Sequence, residues 1–317
     1  MENTHPDKDK TLTDFDQNLV NHIAWEAVAE QRRARRWGIF FKFFFAGYLV
    51  LFLLLYLPVG MFGGKISGGK HTALINIEGV IGSDYEANAD YIVSGLRSAY
   101  EDKNTAGIIL RINSPGGSPV QAGYVNDEIQ RLRKLYPEIP LYAVITDICA
   151  SGGYYIAAAT EKIYANKASV VGSIGVVMSG FGFVDAIHKL GIERRLITAG
   201  ESKGFLDPFS PLKSEDVEHI DGVLNDVYQQ FIDVVKAGRG DRLKVDEKIF
   251  SGLIWSGEQS IDLGLVDAMG SSGYVAREVI GAEDIVDFTL RDTYFDRFAK
   301  QLGTAVASAL SSQLELR

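Results

Sequence analysis

The chain has 317 residues, of which 46% are hydrophobic, so it is long and apolar enough to bury a substantial core and is not an intrinsically disordered protein. Its formal net charge of −9 argues against a nucleic-acid-binding protein, because such proteins present basic surfaces to phosphate. The single cysteine, Cys149, excludes an intramolecular disulfide.

The N-terminal region carries a candidate membrane segment. A polar tail, 1–36, ends in an arginine cluster, and the run from 43 to 64 contains no charged residue. That run is long enough to cross a bilayer, and flanking arginines favour a cytoplasmic N-terminus. We therefore predict a cytoplasmic tail at 1–36, a transmembrane anchor at 37–62 and a glycine-rich linker at 63–70. The long polar tail disfavours a cleavable signal peptide, and the one-sided arginines disfavour a buried core helix.

The segment 71–290 alternates apolar runs with helical patterns, which predicts an α/β domain with a mostly parallel sheet. In chain order the pattern gives strand ALINIEGVI, helix ADYIVSGLRSAYED, strand AGIILRI, a helix over 120–135 and strand LYAVIT. Further strands are predicted at KIYANK, VVGSIGVVM and RRLITAG, with a helix over 184–190. A long helix over 214–237 is predicted to open with Ser214 as its cap, and 291–317 is predicted to be a helical tail.

Two glycine-rich turns follow predicted strands, NSPGGS at 113–118 and ASGGYY at 150–155. Both would lie at the carboxyl ends of strands, where α/β sheets bind ligands, and glycines there let free amides approach a developing oxyanion. Ser151 lies between a strand and a predicted helix, so it is either a nucleophile or an ordinary helix cap. Cys149 stands where a G-x-S-x-G elbow needs glycine, which disfavours an α/β-hydrolase.

Five segments in order resemble the SppA-type signal peptide peptidases, whose fold is shared with the Clp protease and crotonase superfamily. They are INSPGGS, ASGGYYIA, VGSIGVV, ITAGESKGFLDPFSPL and SGLIWSGEQSIDLGLVDAMG, and the resemblance covers roughly 73–281. It implies a crotonase/Clp-protease-like domain of repeated ββα units carrying a Ser/Lys dyad. Matched residue by residue, it implies Ser151 as the nucleophile, Lys203 as the general base and Ser173 as the residue that orients the lysine. Gly117 and Gly152 match the backbone donors of the oxyanion hole.

A lysine base must be neutral, although a free lysine has a pKa near about 10.4. Burial can lower a lysine pKa by up to about 3 to 5 units, and we expect Phe205, Leu206 and Phe209 to supply apolar surroundings for the amine. The rival Ser/His/Asp arrangement would have to use one of the histidines beyond the predicted anchor, none of which lies in a motif: His71, His188 and His219. No metal-binding motif and no cofactor motif is present.

The resemblance implies a membrane-anchored serine endopeptidase that cleaves residual signal peptides and other short or unfolded peptides through an acyl-enzyme. Its expected partners are peptide substrates, the lipid bilayer and further copies of the chain in a homo-oligomeric ring, without nucleic acid. The N-terminus would be cytoplasmic and the catalytic domain would lie on the outer side of the cytoplasmic membrane. The alternatives are a related Clp-class membrane protease acting on a different membrane partner and a homologue that binds peptides without cleaving them.

Overall fold

The computed structural model describes residues 8–56, 69–244 and 247–291, and the chain divides into two compact units, Met1–Ile66 and Ser67–Arg317. In the first unit, helix α1 spans Lys8–Tyr56, and its side chains from 30 to 52 are exposed. No helix among the described residues is apolar over enough of its length to cross a bilayer. The predicted anchor, 37–62, continues past Tyr56 outside the described residues, as do most of the predicted linker and helical tail, so these remain predictions.

The second unit is a mixed α/β domain in which strands and helices alternate. Its strands are β1 His71–Glu78, β2 Thr105–Ser114, β3 Leu141–Ala150, β4 Lys162–Ala165, β5 Val170–Gly172, β6 Ile254–Ser256, β7 Ala268–Met269 and β8 Ile285–Asp287. Its α-helices are α2 Ala89–Glu101, α3 Pro119–Leu135, α4 Gly152–Ala157, α5 Val184–Lys189, α6 Ser214–Arg239, α7 Gly257–Asp262 and α8 Ser272–Tyr274. A π-helix covers Val275–Ile280, and 3₁₀ turns cover Gly240–Arg242 and Glu247–Phe250.

The described strands form one sheet in the order β6-β5-β3-β2-β1-β8, and β4 pairs with both β3 and β7. All of these pairings are parallel except β5 with β6. This parallel-rich sheet fits a Clp-protease-like fold. Because β1, β2 and β3 run parallel to one another, their carboxyl ends lie at the same end of the sheet.

The core follows the two-residue period of the strands. Ala73, Ile75 and Ile77 of β1 pack in the larger cluster beneath helices α2, α3 and α4, whereas Leu74 packs on the opposite face with Val275. β2 and β3 alternate in the same way. Burial on both faces explains why these strands read as nearly continuous apolar runs.

Strand β3 changes its partner along its length. Residues 142–144 pair with β4, and residues 148–150 pair with β5. The register of β3 against β2 also shifts, so that Ser114 lies opposite Cys149. The end of β3 therefore diverges from β4, and the chain that follows Ala150 turns beside the glycine-rich segment after β2.

Three local predictions are wrong. RRLITAG forms no strand, because it pairs with no neighbour in the described sheet and Ile197 is 95% exposed. VVGSIGVVM is a strand only over Val170–Gly172, since positive φ angles at Gly172 and Ser173 end it. Ser214 is the first residue of α6 rather than its cap; Lys213 holds the cap position without a side-chain hydrogen bond.

The C-terminal end of α6 is fixed by a buried ion pair. The Arg239 guanidinium, 1% exposed, donates to the Gly264 carbonyl at 2.8 Å and to the Asp267 carboxylate at 2.8 Å. Burial alone would raise the pKa of Asp267, but hydrogen bonds from Arg239 and from the Ile163 amide outweigh it and lower that pKa. The helix is thereby held against the sheet at the end nearest β4.

Candidate active site

Ser151 occupies the sharp turn between β3 and α4. Its backbone has φ 51° and ψ −122°, a conformation that a residue with a Cβ seldom adopts and that costs about 1–3 kcal/mol. The turn is held by the Ser151 amide, which donates to the Gly172 carbonyl at 2.9 Å, and by the Tyr155 amide, which donates to the Ser151 carbonyl at 3.0 Å. The Ser151 side chain makes no capping hydrogen bond, so the helix-cap alternative is not realised.

The glycine turn after β2 packs directly against Ser151. Gly116 and Gly117 have φ angles of 105° and 150°, where side chains are disfavoured. A Cβ on Gly116 would lie 2.6 Å from the Ser151 Cβ, and a Cβ on Gly117 would collide with the Ile81 carbonyl. Only glycine lets the backbone pass this close to the serine.

The Ser114 side chain holds the glycine turn in place through two hydrogen bonds. Its fully buried hydroxyl donates to the Gly79 carbonyl at 2.6 Å and accepts from the Gly116 amide at 3.1 Å. The Gly116 carbonyl in turn accepts from the Ile81 amide at 2.9 Å. These bonds fix the orientation of the peptide group that leads into Gly117.

Two backbone amides are left available beside the serine. A Cβ built on Gly152 would lie 3.4 Å from the Gly117 nitrogen, so the two glycines face each other across a narrow gap. Among the described residues, neither the Gly117 amide nor the Gly152 amide has a hydrogen-bond acceptor. A pair of unpaired amides next to a hydroxyl is the arrangement that stabilises a tetrahedral oxyanion.

Ser151, Gly117, Gly152 and Ser173 all line one cavity of about 740 Å³. Ser173 follows β5 with a φ of 51°, and its amide donates to the Leu253 carbonyl at 2.7 Å. Four of the five predicted site residues therefore come together around a space large enough for several peptide side chains.

Lys203 lies elsewhere in the described chain. It is exposed in the loop between α5 and α6, and it is not among the residues that line the cavity. The aromatic residues expected around it contact other groups: Phe209 stacks on Phe183, and Phe205 packs edge-on against His219. The cavity that contains Ser151 does not include Lys203 in its lining, and the pairing of the two residues stays a prediction.

The rival nucleophiles and bases lie away from the cavity. His71 begins β1, at the opposite edge of the sheet from Ser151, and none of the histidines described lines the cavity. Cys149 is fully buried, and burial raises the pKa of its thiol, which suppresses the reactive thiolate. A Ser/His/Asp arrangement therefore has no support among the described residues.

The sequence reasoning missed the walls of the cavity. One face of α3 contributes Val120, Tyr124 and Asp127, and the facing side of α6 contributes Val227 and Phe231. Both sets have the spacing of a single helix face, so this signal was present once the two helices had been predicted. Which faces would meet could not be read without the sheet that places them.

Comparison with known proteins gives a consistent family signal. Residues 133–285 match the model of Peptidase family S49. The chain is 32% identical over 207 residues to the putative protease slr0021 of Synechocystis sp., which covers 65% of this chain and 72% of that protein. It is 30% identical over 214 residues to the putative signal peptide peptidase SppA of Enterococcus faecium, which covers 65% of this chain and 62% of that protein.

A further relative has a different name. The chain is 39% identical over 207 residues to the Na(+)/H(+) antiporter NhaA of Brucella melitensis biotype 1, but the match covers only 26% of that protein. The chain thus spans about a quarter of this relative and less than two thirds of the Enterococcus protein.

Proposed function

This chain belongs to peptidase family S49, a family of serine peptidases, and from that premise we propose that it is a membrane-anchored serine endopeptidase with a Ser151/Lys203 dyad. The observation that carries the proposal is the strained Ser151 turn beside two unpaired glycine amides. Its substrates are residual signal peptides and other short or unfolded peptides, which a cavity of about 740 Å³ could accept in extended form.

The proposed reaction runs through an acyl-enzyme. The Ser151 oxygen attacks the scissile carbonyl carbon while its proton moves to the neutral Lys203 amine, and the Gly117 and Gly152 amides hold the oxyanion. Collapse of the tetrahedral intermediate breaks the carbon–nitrogen bond, and the Lys203 ammonium returns its proton to the leaving amine. Water then hydrolyses the ester by the same route, with Ser173 orienting the lysine.

The lysine is proposed to come from a neighbouring copy of the chain. Lys203 belongs to the segment 176–213, whose first residues line the cavity and whose apolar side chains are largely exposed. Phe181 is 82% exposed, Leu190 72% and Ile197 95%. Apolar exposure on this scale marks an interaction surface, and a subunit ring would cover it while delivering Lys203 to the next Ser151.

Complementation between two inactive variants tests the proposal. Ser151→Ala and Lys203→Ala should each abolish cleavage of a fluorogenic peptide, whereas Lys189→Ala, which removes another exposed lysine of the same segment, should not. Co-expressed Ser151→Ala and Lys203→Ala chains should regain activity, up to about a quarter of the wild-type sites for random mixing in a ring.

The outcomes separate the parts of the proposal. Activity in Ser151→Ala would discard the serine mechanism, and activity in Lys203→Ala would discard the dyad. Two inactive variants that never complement would place both residues of the dyad in one chain.

The anchor at 37–62 is proposed on the charge-free run from 43 to 64 and the arginine cluster before it. With the N-terminus in the cytoplasm, the catalytic domain lies on the outer side of the membrane. Alkaline carbonate extraction of membranes checks this, because an anchored chain stays in the pellet and a chain released to the supernatant would contradict it.

A further inference from the structure

The wall of the active-site cavity carries one charged side chain. Among the residues that line this cavity, Asp127 of α3 is the only one with a formal charge; the others are glycine, serine, tyrosine, glutamine, proline, valine or phenylalanine. Asp127 is exposed on the same helix face as Val120 and Tyr124. A carboxylate in an otherwise uncharged groove attracts a cationic group of any molecule that enters.

No cation among the described residues forms an ion pair with this carboxylate. None of the ion pairs formed among the described residues includes Asp127. Its sequence neighbour Glu128 is buried and is paired with both Arg97 and Arg131, at 2.6 and 2.7 Å. Arg131, one turn along from Asp127, is thus already occupied by Glu128.

The residues that α4 and α6 contribute to the same cavity are also uncharged. They are Tyr155 of α4 and Val227, Gln230 and Phe231 of α6. Burial, and after it the negative charge of Asp127, raise the pKa of Tyr155, which places the carboxylate close to that ring. The Asn126 side chain donates to the Tyr155 carbonyl at 3.0 Å and so holds this part of α3 in place.

The position of Asp127 sets its distance from the scissile bond. Helix α3 starts at Pro119, next to the oxyanion glycine turn, and Asp127 lies eight residues further along it. At about 1.5 Å per residue this separation is about 12 Å. An extended peptide advances about 3.3 Å per residue, so for a peptide that lies along α3 about three or four residues separate the bond to be cleaved from the residue beside Asp127.

We propose that Asp127 is a specificity-determining residue that selects peptides with a lysine or arginine three or four residues from the cleaved bond. The inference rests on the proposed peptidase function and names the class of substrate for that site. Lysine and arginine have the reach to approach the carboxylate while their aliphatic stems lie against Tyr124, which is within one helical turn of Asp127.

Peptide scanning tests the proposal. A fluorogenic peptide with norleucine at the scanned positions is compared with peptides in which one lysine replaces norleucine at each position in turn. We expect kcat/KM to rise roughly threefold to fivefold for lysine at one position, three or four residues from the cleaved bond. The gain should be in KM, because the ion pair forms equally in the ground state and the transition state. Added salt should reduce it.

Variants of Asp127 identify the source of the preference. In Asp127→Asn the ratio of kcat/KM for the lysine peptide to kcat/KM for the norleucine peptide should fall to about one. In Asp127→Glu this ratio should recover, and Asp127→Lys should prefer a peptide with glutamate at the same position. Glu138→Gln, which removes another exposed carboxylate outside the cavity, should keep the wild-type ratio.

The failures are distinguishable. A wild-type chain that cleaves the norleucine peptide but shows no lysine preference, or keeps that preference in Asp127→Asn, overturns this inference and leaves the peptidase function intact. A wild-type chain that cleaves none of the peptides argues against the proposed function itself.

Discussion

The strain at Ser151 predicts a gain in stability when its Cβ is removed. At φ 51° and ψ −122° the backbone is outside the regions that ordinary residues occupy. Glycine would relieve about 1–3 kcal/mol of strain, but it would lose about 0.5–1 kcal/mol because its unfolded chain is more flexible. We therefore expect Ser151→Gly to be about 1 kcal/mol more stable than Ser151→Ala.

The comparison between these two variants isolates the effect of the Cβ on backbone strain. Neither has the hydroxyl, so both should be inactive, and any difference between them comes from the Cβ. A stability change of about 1 kcal/mol corresponds to a rise of roughly 2–4 °C in melting temperature for a folded unit of this size. Thermal denaturation followed by circular dichroism resolves that difference.

Ser98, an exposed residue within α2, provides the matched control. There the backbone is helical, so glycine should be about 1 kcal/mol less stable than alanine. The sign of the difference should therefore reverse between the two sites. If Ser151→Gly were also less stable than Ser151→Ala, the backbone at Ser151 would not be strained.

Two further predictions concern residues around the site. Ser114→Ala removes a buried hydroxyl that accepts a hydrogen bond from the Gly116 amide. We expect the free energy of unfolding to fall by about 2 kcal/mol and kcat to fall as well. An unchanged kcat would show that Ser114 contributes to stability but not to the geometry of the site. Hydrogen bonds from Arg131 and Arg97 lower the pKa of Glu128 from 4.5 to about 2. Its stabilisation, about 1 kcal/mol after screening of the exposed arginines, should be complete above pH 4.5 and lost as pH falls towards 2. Denaturation of Glu128→Gln beside wild type across that range checks this, and a constant difference would contradict it.

The sequence predicted best what depends on local pattern. The three long strands and helices α2, α3 and α6 were foreseen because their apolar periods run over many residues. The carboxyl edge of the sheet was also foreseen, because parallel strands put the turns after β2 and β3 side by side. Ser151, Gly117 and Gly152 lie together for that reason.

The short strands could not be predicted from the local sequence pattern. β6 and β7 contain three and two residues, and pairing with β5 and β4 defines them rather than their own composition. The Asp267 carboxylate accepts from the Ile163 amide at 2.7 Å, a contact between residues far apart in sequence. RRLITAG shows the converse: a run with strand propensity stays without a strand partner among the described residues.

That unpaired run also bears on Lys203, the proposed base, which does not line the cavity. A lysine general base needs an environment that excludes water, yet the described chain leaves both Lys203 and the apolar side chains around it exposed. Keeping such a surface in water is unfavourable, and covering it with a neighbouring subunit would remove the exposure and dry the amine in one step. Assembly and catalysis would then depend on the same contact, so substitutions such as Ile197→Asp that weaken association should also reduce activity at concentrations where the ring dissociates.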